Sequence, residues 1–74
     1  MINAEKIKKI ASNANFIVNG YAFVCENDNV RIINLNNTDK ATVMKKDGYV
    51  LMTSMDDIEI SIIQQYWEKN KQFA

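Results

Sequence analysis

The chain of 74 residues contains no histidine, and this absence excludes several common kinds of enzyme site. A Ser–His or Cys–His pair cannot form without the imidazole base. Cysteine, another frequent zinc ligand, occurs once, at Cys25, which also rules out an internal disulfide. Cys25 lies among apolar residues of a predicted strand, which favours an inert thiol. We therefore expect no enzymatic activity, no metal and no other cofactor.

Glycine is scarce as well, and the charges cancel. Gly20 and Gly48 both lie in predicted tight turns, so the chain has no glycine-rich loop for a phosphate group. Nine acidic and nine basic residues give a net charge of zero, which disfavours electrostatic capture of nucleic acid or an anionic membrane. No apolar run resembles a signal peptide or approaches the roughly 20 residues of a membrane span. We therefore expect a cytoplasmic protein.

The longest predicted element is a C-terminal amphipathic helix over Ser54–Phe73, a run without glycine or proline. Ser54 is predicted as its N-cap, and Asp57 completes a variant of the capping box. At about 100° per residue, the predicted core stripe consists of Met55, Ile58, Ile62, Tyr66 and Phe73. A second apolar group, the shoulder, consists of Ile60, Ile63 and Trp67. Because the combined arc of about 200° is wider than one sheet face requires, another surface must cover the shoulder.

A shorter helix is predicted over Asn3–Ala14, with Asn3 as N-cap and an apolar stripe that includes Ile7 and Ile10. Turn residues then separate five predicted strands. These strands are Phe16–Val18, Tyr21–Glu26, Val30–Leu35, Lys40–Lys45 and Tyr49–Thr53. The dipeptide Asn19–Gly20 favours a type I′ hairpin, although Gly20 could instead form a bulge within one longer strand.

Short loops favour an α+β fold in which an antiparallel meander of four or five strands lies between the two helices. We expect one domain over residues 1–74, with both helices on one sheet face. Alternation places on one face Tyr21, Phe23, Cys25, Ile33, Leu35, Met44, Val50 and Met52. The other face carries Ala22, Val24, Val30, Ile32, Val43, Tyr49 and Leu51. Both faces are largely apolar, so the uncovered face also needs a partner surface.

This apolar surplus predicts a non-enzymatic protein–protein interaction module that forms a homodimer or binds another protein. The residues predicted to contact the partner are Trp67, Ile60, Ile63, Tyr21 and Phe23. For Trp67, burial against the first helix is an equally open interpretation. The abundance of Asn, Ile and Lys indicates AT-rich codons and a bacterial or phage origin, where an accessory or inhibitor protein is one possible form of this function.

The alternative function is a small nucleic-acid-binding domain. Tyr21, Phe23 and Tyr49 would stack on bases beside lysine and arginine side chains. The zero net charge makes nucleic acid a less favoured partner than protein.

The helical wheel places the carboxylate of Glu59 inside the apolar arc, near Tyr66 and Ile63. We expect it to contact the helix N-terminus or Lys40, as structural carboxylates usually do. A functional role would require a cleft around it.

Overall fold

The computed structural model describes residues 4–73, with side-chain surroundings from residue 8 onward. Over this range the chain forms two α-helices, a short 3-10 helix and one five-stranded antiparallel sheet with strand order β1-β2-β3-β4-β5. The elements are α1 (Ala4–Asn13), β1 (Phe16–Val18), β2 (Tyr21–Glu26), β3 (Asn29–Asn34), β4 (Ala41–Lys45), β5 (Val50–Thr53), α2 (Asp57–Asn70) and the 3-10 helix Lys71–Phe73. The predicted α+β meander is confirmed. The predicted cap Asn3 and the side chain of Ile7 lie outside the described residues.

The β1–β2 hairpin follows from the dipeptide in its turn. Asn19 and Gly20 have φ angles of 47° and 81°, both in the left-handed region that a type I′ turn requires. Val18 pairs with Tyr21 across this two-residue loop. The hairpin interpretation is therefore confirmed, and the interpretation of Gly20 as a bulge is wrong.

Strand register defines one face of the sheet, which we call the helix face because α2 packs on it. Phe23 pairs with Ile32, and Ile32 pairs with Thr42, so these side chains share that face. The predicted assignment of β3 is wrong by one residue, because Glu26 pairs with Asn29 across a turn of two residues and not three. A shift of one residue moves every side chain to the opposite face.

A bulge changes the face of one residue in β5. Met44 pairs with Val50 and Val43 pairs with Met52, which leaves Leu51 as an extra residue. Met52 consequently lies on the face opposite to the predicted one, and 72% of its surface is exposed.

The core lies between the helix face and α2. Its buried members are Phe23, Val30, Ile32, Met44, Met55, Ile63 and Trp67. The Trp67 ring lies nearly parallel to the rings of Phe16 and Phe23, with centroids 6.1 Å and 6.4 Å away. Trp67 Nε1 also donates a 2.8 Å hydrogen bond to the Lys46 carbonyl oxygen, which attaches α2 to the β4–β5 turn.

The side of α2 that faces the core is rotated by roughly a quarter-turn from the predicted one, although Met55 and Tyr66 of the predicted stripe do pack in or against the core. Ile63 and Trp67, placed on the shoulder by the sequence, are 0% and 3% exposed. Ile58, Ile62 and Phe73, predicted to lie in the core stripe, are exposed. The reason is that the largest apolar side chain, Trp67, finds aromatic partners on β1 and β2, and its burial determines the rotation of the helix.

The start of α2 also differs from the prediction. Asp56, and not Ser54, is the N-cap, because Asp56 Oδ1 accepts a 2.8 Å hydrogen bond from the Glu59 backbone N–H. Ser54 Oγ instead donates to the Asp39 carbonyl oxygen at 2.6 Å and accepts from the Ala41 N–H at 3.0 Å. Ser54 therefore stabilises the approach of β5 to β4.

Candidate functional site

The solvent side of α2 carries an apolar strip that we call the outer stripe. It consists of the apolar residues Ile58, Ile62 and Phe73 and of the polar residues Gln65 and Lys69 between them, all of which are exposed. At about 100° per residue, the four members within α2 fall in an arc of roughly 60°. Ile58, in the first turn of α2, is 75% exposed, and Ile62, one turn later, is 37% exposed. The apolar members of the outer stripe therefore form a surface that the other described residues do not cover.

Charges of opposite sign lie at the two ends of this helix. Asp57 is in the first turn of α2 and Lys69 is in its last turn. Among the described residues the ion pairs are Arg31–Glu26 and Lys71–Glu68, with closest distances of 2.7 Å and 3.0 Å. Asp57 and Lys69 belong to neither pair, so both side chains are free to meet a partner.

A second exposed apolar group lies at the β5 edge of the sheet. Tyr49, Leu51 and Met52 are all exposed there, and Lys45 Nζ lies 6.0 Å from the centre of the Tyr49 ring. A depression of about 230 Å³ lies between β4 and β5 and includes Val43 and Met52. Its volume is below the range of roughly 300–1,000 Å³ typical of small-molecule sites.

The five residues predicted to contact a partner do lie close together, but they belong to the core or pack against it. Phe23, Ile63 and Trp67 are buried, and Tyr21 and Ile60 are partly buried against the same cluster. Trp67 is buried, and the side chains on which its ring stacks are the strand aromatics Phe16 and Phe23. The burial of the five predicted residues follows from the rotation of α2, which moves the accessible apolar surface to the outer stripe.

The aromatic platform considered for nucleic acid is likewise covered. Tyr21 and Phe23 lie on the helix face under α2, and Phe23 has no exposed surface. Tyr49 is exposed, at the β4–β5 end of the sheet. The three rings therefore do not form one open surface.

Glu59 lies in a polar cluster at the edge of the core. Its Oε2 accepts a 2.6 Å hydrogen bond from the Tyr21 hydroxyl and a 3.0 Å hydrogen bond from Asn34 Nδ2. The predicted contact with Lys40 is wrong, because Lys40 Nζ donates to the Ser54 carbonyl oxygen at 3.1 Å. The Tyr66 ring packs beside Tyr21 at 6.1 Å between centroids.

Burial and the adjacent carboxylate together keep the Tyr21 hydroxyl protonated. Burial is the larger cause, and the hydrogen bond and negative charge of Glu59 add to it, which raises the pKa of Tyr21 to about 12. Tyr21 is therefore a hydrogen-bond donor and a poor general base near neutral pH. The hydrogen bonds of this cluster attach α2 to β2 and β3.

The lone thiol also has a shifted pKa. Burial raises the pKa of Cys25, while the positive charge of Lys46 acts in the opposite direction. A raised pKa lowers the thiolate fraction, and the thiolate is the reactive form.

The sequence did not predict that the outer stripe is exposed, because the predicted core stripe and the shoulder both fit the helical period. The size of the Trp67 side chain was the signal that could have identified the buried side of α2. Trp67 is the only tryptophan of the chain, and a residue with that much apolar area gains most from burial.

The arrangement defines a small α+β protein, with a five-stranded antiparallel meander and a long C-terminal helix across one face. Within the described residues, neither helix has the length and apolar character needed to span a bilayer. A family model described as "Family of unknown function (DUF7723)" matches residues 4–74, and the chain belongs to this family. Neither a curated protein nor a solved structure matches the chain.

Proposed function

We propose that the protein is a non-enzymatic protein–protein interaction module that self-associates through the outer stripe of α2. The observation that carries this proposal is that α2 has apolar residues on two sides and that, among residues 4–73, only one of these sides is buried. Ile58 and Ile62 lie on successive turns of the other side, the spacing by which a helix presents an apolar strip to a partner.

The second sheet face is a weaker candidate for the contact. Ala22 and Ile33 lie on that face, and they are 0% and 8% exposed although α2 packs on the opposite side. α1 contacts β2, and Ile10 and Ala11 are partly buried. We infer that α1 covers the second face, in place of the predicted arrangement with both helices on one face. With α1 in this position, the second sheet face offers a partner less uncovered surface than the outer stripe does.

The size of the outer stripe favours a weak, reversible complex. Complete burial of one isoleucine side chain contributes about 1.5–3 kcal/mol. Two such side chains in each copy would be offset in large part by the loss of translational and rotational freedom, which costs at least about 4 kcal/mol. We therefore expect a dimer with a Kd on the order of micromolar or weaker.

Sedimentation equilibrium over a dilution series tests the proposal. The wild-type mass should rise with concentration from 8.5 kDa towards twice that value. A variant with Ile58→Ser and Ile62→Ser should remain monomeric, because it removes the apolar contact and leaves the core intact. Met52→Ser is the matched control, since Met52 is as exposed as Ile58 but lies on β5, and it should dimerise normally.

Two outcomes would contradict the proposal. A wild-type chain that stays monomeric throughout the series would exclude self-association. Loss of dimerisation in Met52→Ser, but not in the α2 variant, would move the interface to the β5 edge. A salt series distinguishes this function from the alternative, nucleic-acid binding. Apolar contacts weaken little with salt, whereas binding through phosphate contacts weakens steeply.

A further inference from the structure

Four of the five positions of the outer stripe are arranged symmetrically about its midpoint. Ile58 and Phe73 lie at equal distances along the chain on either side of the point between Gln65 and Tyr66, and so do Ile62 and Lys69. A surface with such a pattern can pair with a second copy of itself turned end to end. That is the requirement for an isologous contact, in which the same patch is used by both subunits.

We infer that two copies of the chain pair through antiparallel α2 helices about a two-fold axis near Gln65. This inference rests on the proposed self-association, and it adds the orientation of the two helices and the residues that meet across the axis. Ile58 of each copy would oppose Phe73 of the other. Ile62 would oppose the aliphatic stem of Lys69, whose ammonium group remains in water.

The charges at the ends of α2 favour this orientation over a parallel one. Antiparallel pairing brings the end that carries Asp57 towards the end that carries Lys69 in the second copy. Parallel pairing would place Asp57 beside Asp57 and Lys69 beside Lys69. Opposed helix dipoles favour the same choice.

The β5 edge is less suited to pair with a second copy. Although Leu51 and Met52 are exposed, the bulge at Leu51 interrupts the regular ladder that strand addition would extend. Bulged edge strands resist edge-to-edge pairing for this reason. The antiparallel helix pair needs no such rearrangement of the backbone.

Disulfide cross-linking tests the position of the axis. The experiment uses the full chain with Cys25→Ala, so that an introduced cysteine is the only thiol. Gln65→Cys lies near the axis and should form a disulfide-linked dimer under mild oxidation. Gln72→Cys is the matched control, because Gln72 is also an exposed glutamine, seven positions from Gln65, and its partner thiol would lie roughly 20 Å away along the helix.

Charge reversal supplies a second, independent measurement. Asp57→Lys alone and Lys69→Glu alone should each weaken dimerisation by about two- to five-fold at low salt. An equimolar mixture of the two variants should associate more tightly than either alone, because each end then again meets the opposite charge.

The outcomes distinguish this inference from the proposed function. If the wild-type chain dimerises through the outer stripe but Gln72→Cys cross-links as well as Gln65→Cys, the helices are parallel and the inference fails alone. Failure of Gln65→Cys to cross-link, or absence of any gain in the mixture, would also overturn it. A wild-type chain that is monomeric at every concentration would overturn both. Fluorescence of the buried Trp67 verifies that each variant is folded.

Discussion

The Tyr21 hydroxyl lies 2.6 Å from Glu59 Oε2, and this hydrogen bond joins β2 to α2 across 38 positions of the chain. Asn34 of β3 donates to the same oxygen at 3.0 Å. Two donors fixed on neighbouring strands thus hold one carboxylate of the helix. Because α2 is also attached to the β4–β5 turn through Trp67, its position is determined at both ends of the sheet.

Removal of the Tyr21 hydroxyl should lower the free energy of unfolding. A hydrogen bond to a charged group contributes about 1.5–3 kcal/mol, and partial exposure reduces this, so we expect Tyr21→Phe to cost about 1 kcal/mol. Urea unfolding followed by Trp67 fluorescence measures it. Tyr49→Phe is the control, because the Tyr49 side chain is exposed, and it should change stability by less than about 0.5 kcal/mol. Equal effects of the two substitutions would contradict a role for the Glu59 contact.

The same tyrosine should make stability depend on alkaline pH. The folded state holds the pKa of Tyr21 at about 12, above its ordinary value of 10.0. Between these two values the unfolded chain releases a proton that the folded chain keeps, so stability falls as pH rises. The fall should be at most about 1.4 kcal/mol per pH unit, while below pH 10 the contribution of Tyr21 is constant.

The measurement is the difference between the wild-type protein and Tyr21→Phe, taken from urea unfolding at several alkaline pH values. Lysine titration affects both proteins equally and cancels in this difference. The advantage of the wild-type chain should decrease across the interval. A difference that is independent of pH would show that Tyr21 titrates alike in the folded and unfolded states.

Local signals predicted the number and order of the strands, although the register of β3 and the bulge in β5 differ from the prediction. Asn19–Gly20 specified a hairpin because both residues tolerate positive φ, and the two observed angles have that sign. The rotation of α2 was not predictable in this way. Ile58 and Trp67 both fit a helical period, and only the strand aromatics Phe16 and Phe23, distant in the chain, select which side is buried.

In the candidate site, too, some features were predictable from local sequence and others depend on residues distant in the chain. The helical wheel singled out Glu59 as a carboxylate close to the core, and its position there is confirmed. Its partners were not predictable, because Tyr21 and Asn34 reach it only after the sheet has formed in its observed register. The outer stripe became recognisable as surface only when Trp67 was known to be buried.

Trp67→Ala should be strongly destabilising. Truncation of a buried aromatic side chain costs about 3–5 kcal/mol, and here it also removes the hydrogen bond to the Lys46 carbonyl oxygen. Because the variant lacks tryptophan, far-UV circular dichroism during urea unfolding measures its stability. Ile58→Ala is the matched control on the opposite side of α2, and it should cost less than about 1 kcal/mol in the monomer. A stable Trp67→Ala protein would contradict the central position of this residue in the core.

Asp56→Ala should destabilise α2 at its first turn. Asp56 Oδ1 is the acceptor for the Glu59 N–H, and loss of such a cap costs about 1 kcal/mol. Asp57→Ala is the matched control, because Asp57 is an adjacent aspartate that also lies near the positive end of the helix dipole but is not the capping residue. Urea unfolding should show a larger loss for Asp56→Ala than for Asp57→Ala. Equal losses would mean that charge near the helix dipole, and not the hydrogen bond of the cap, stabilises this end of α2.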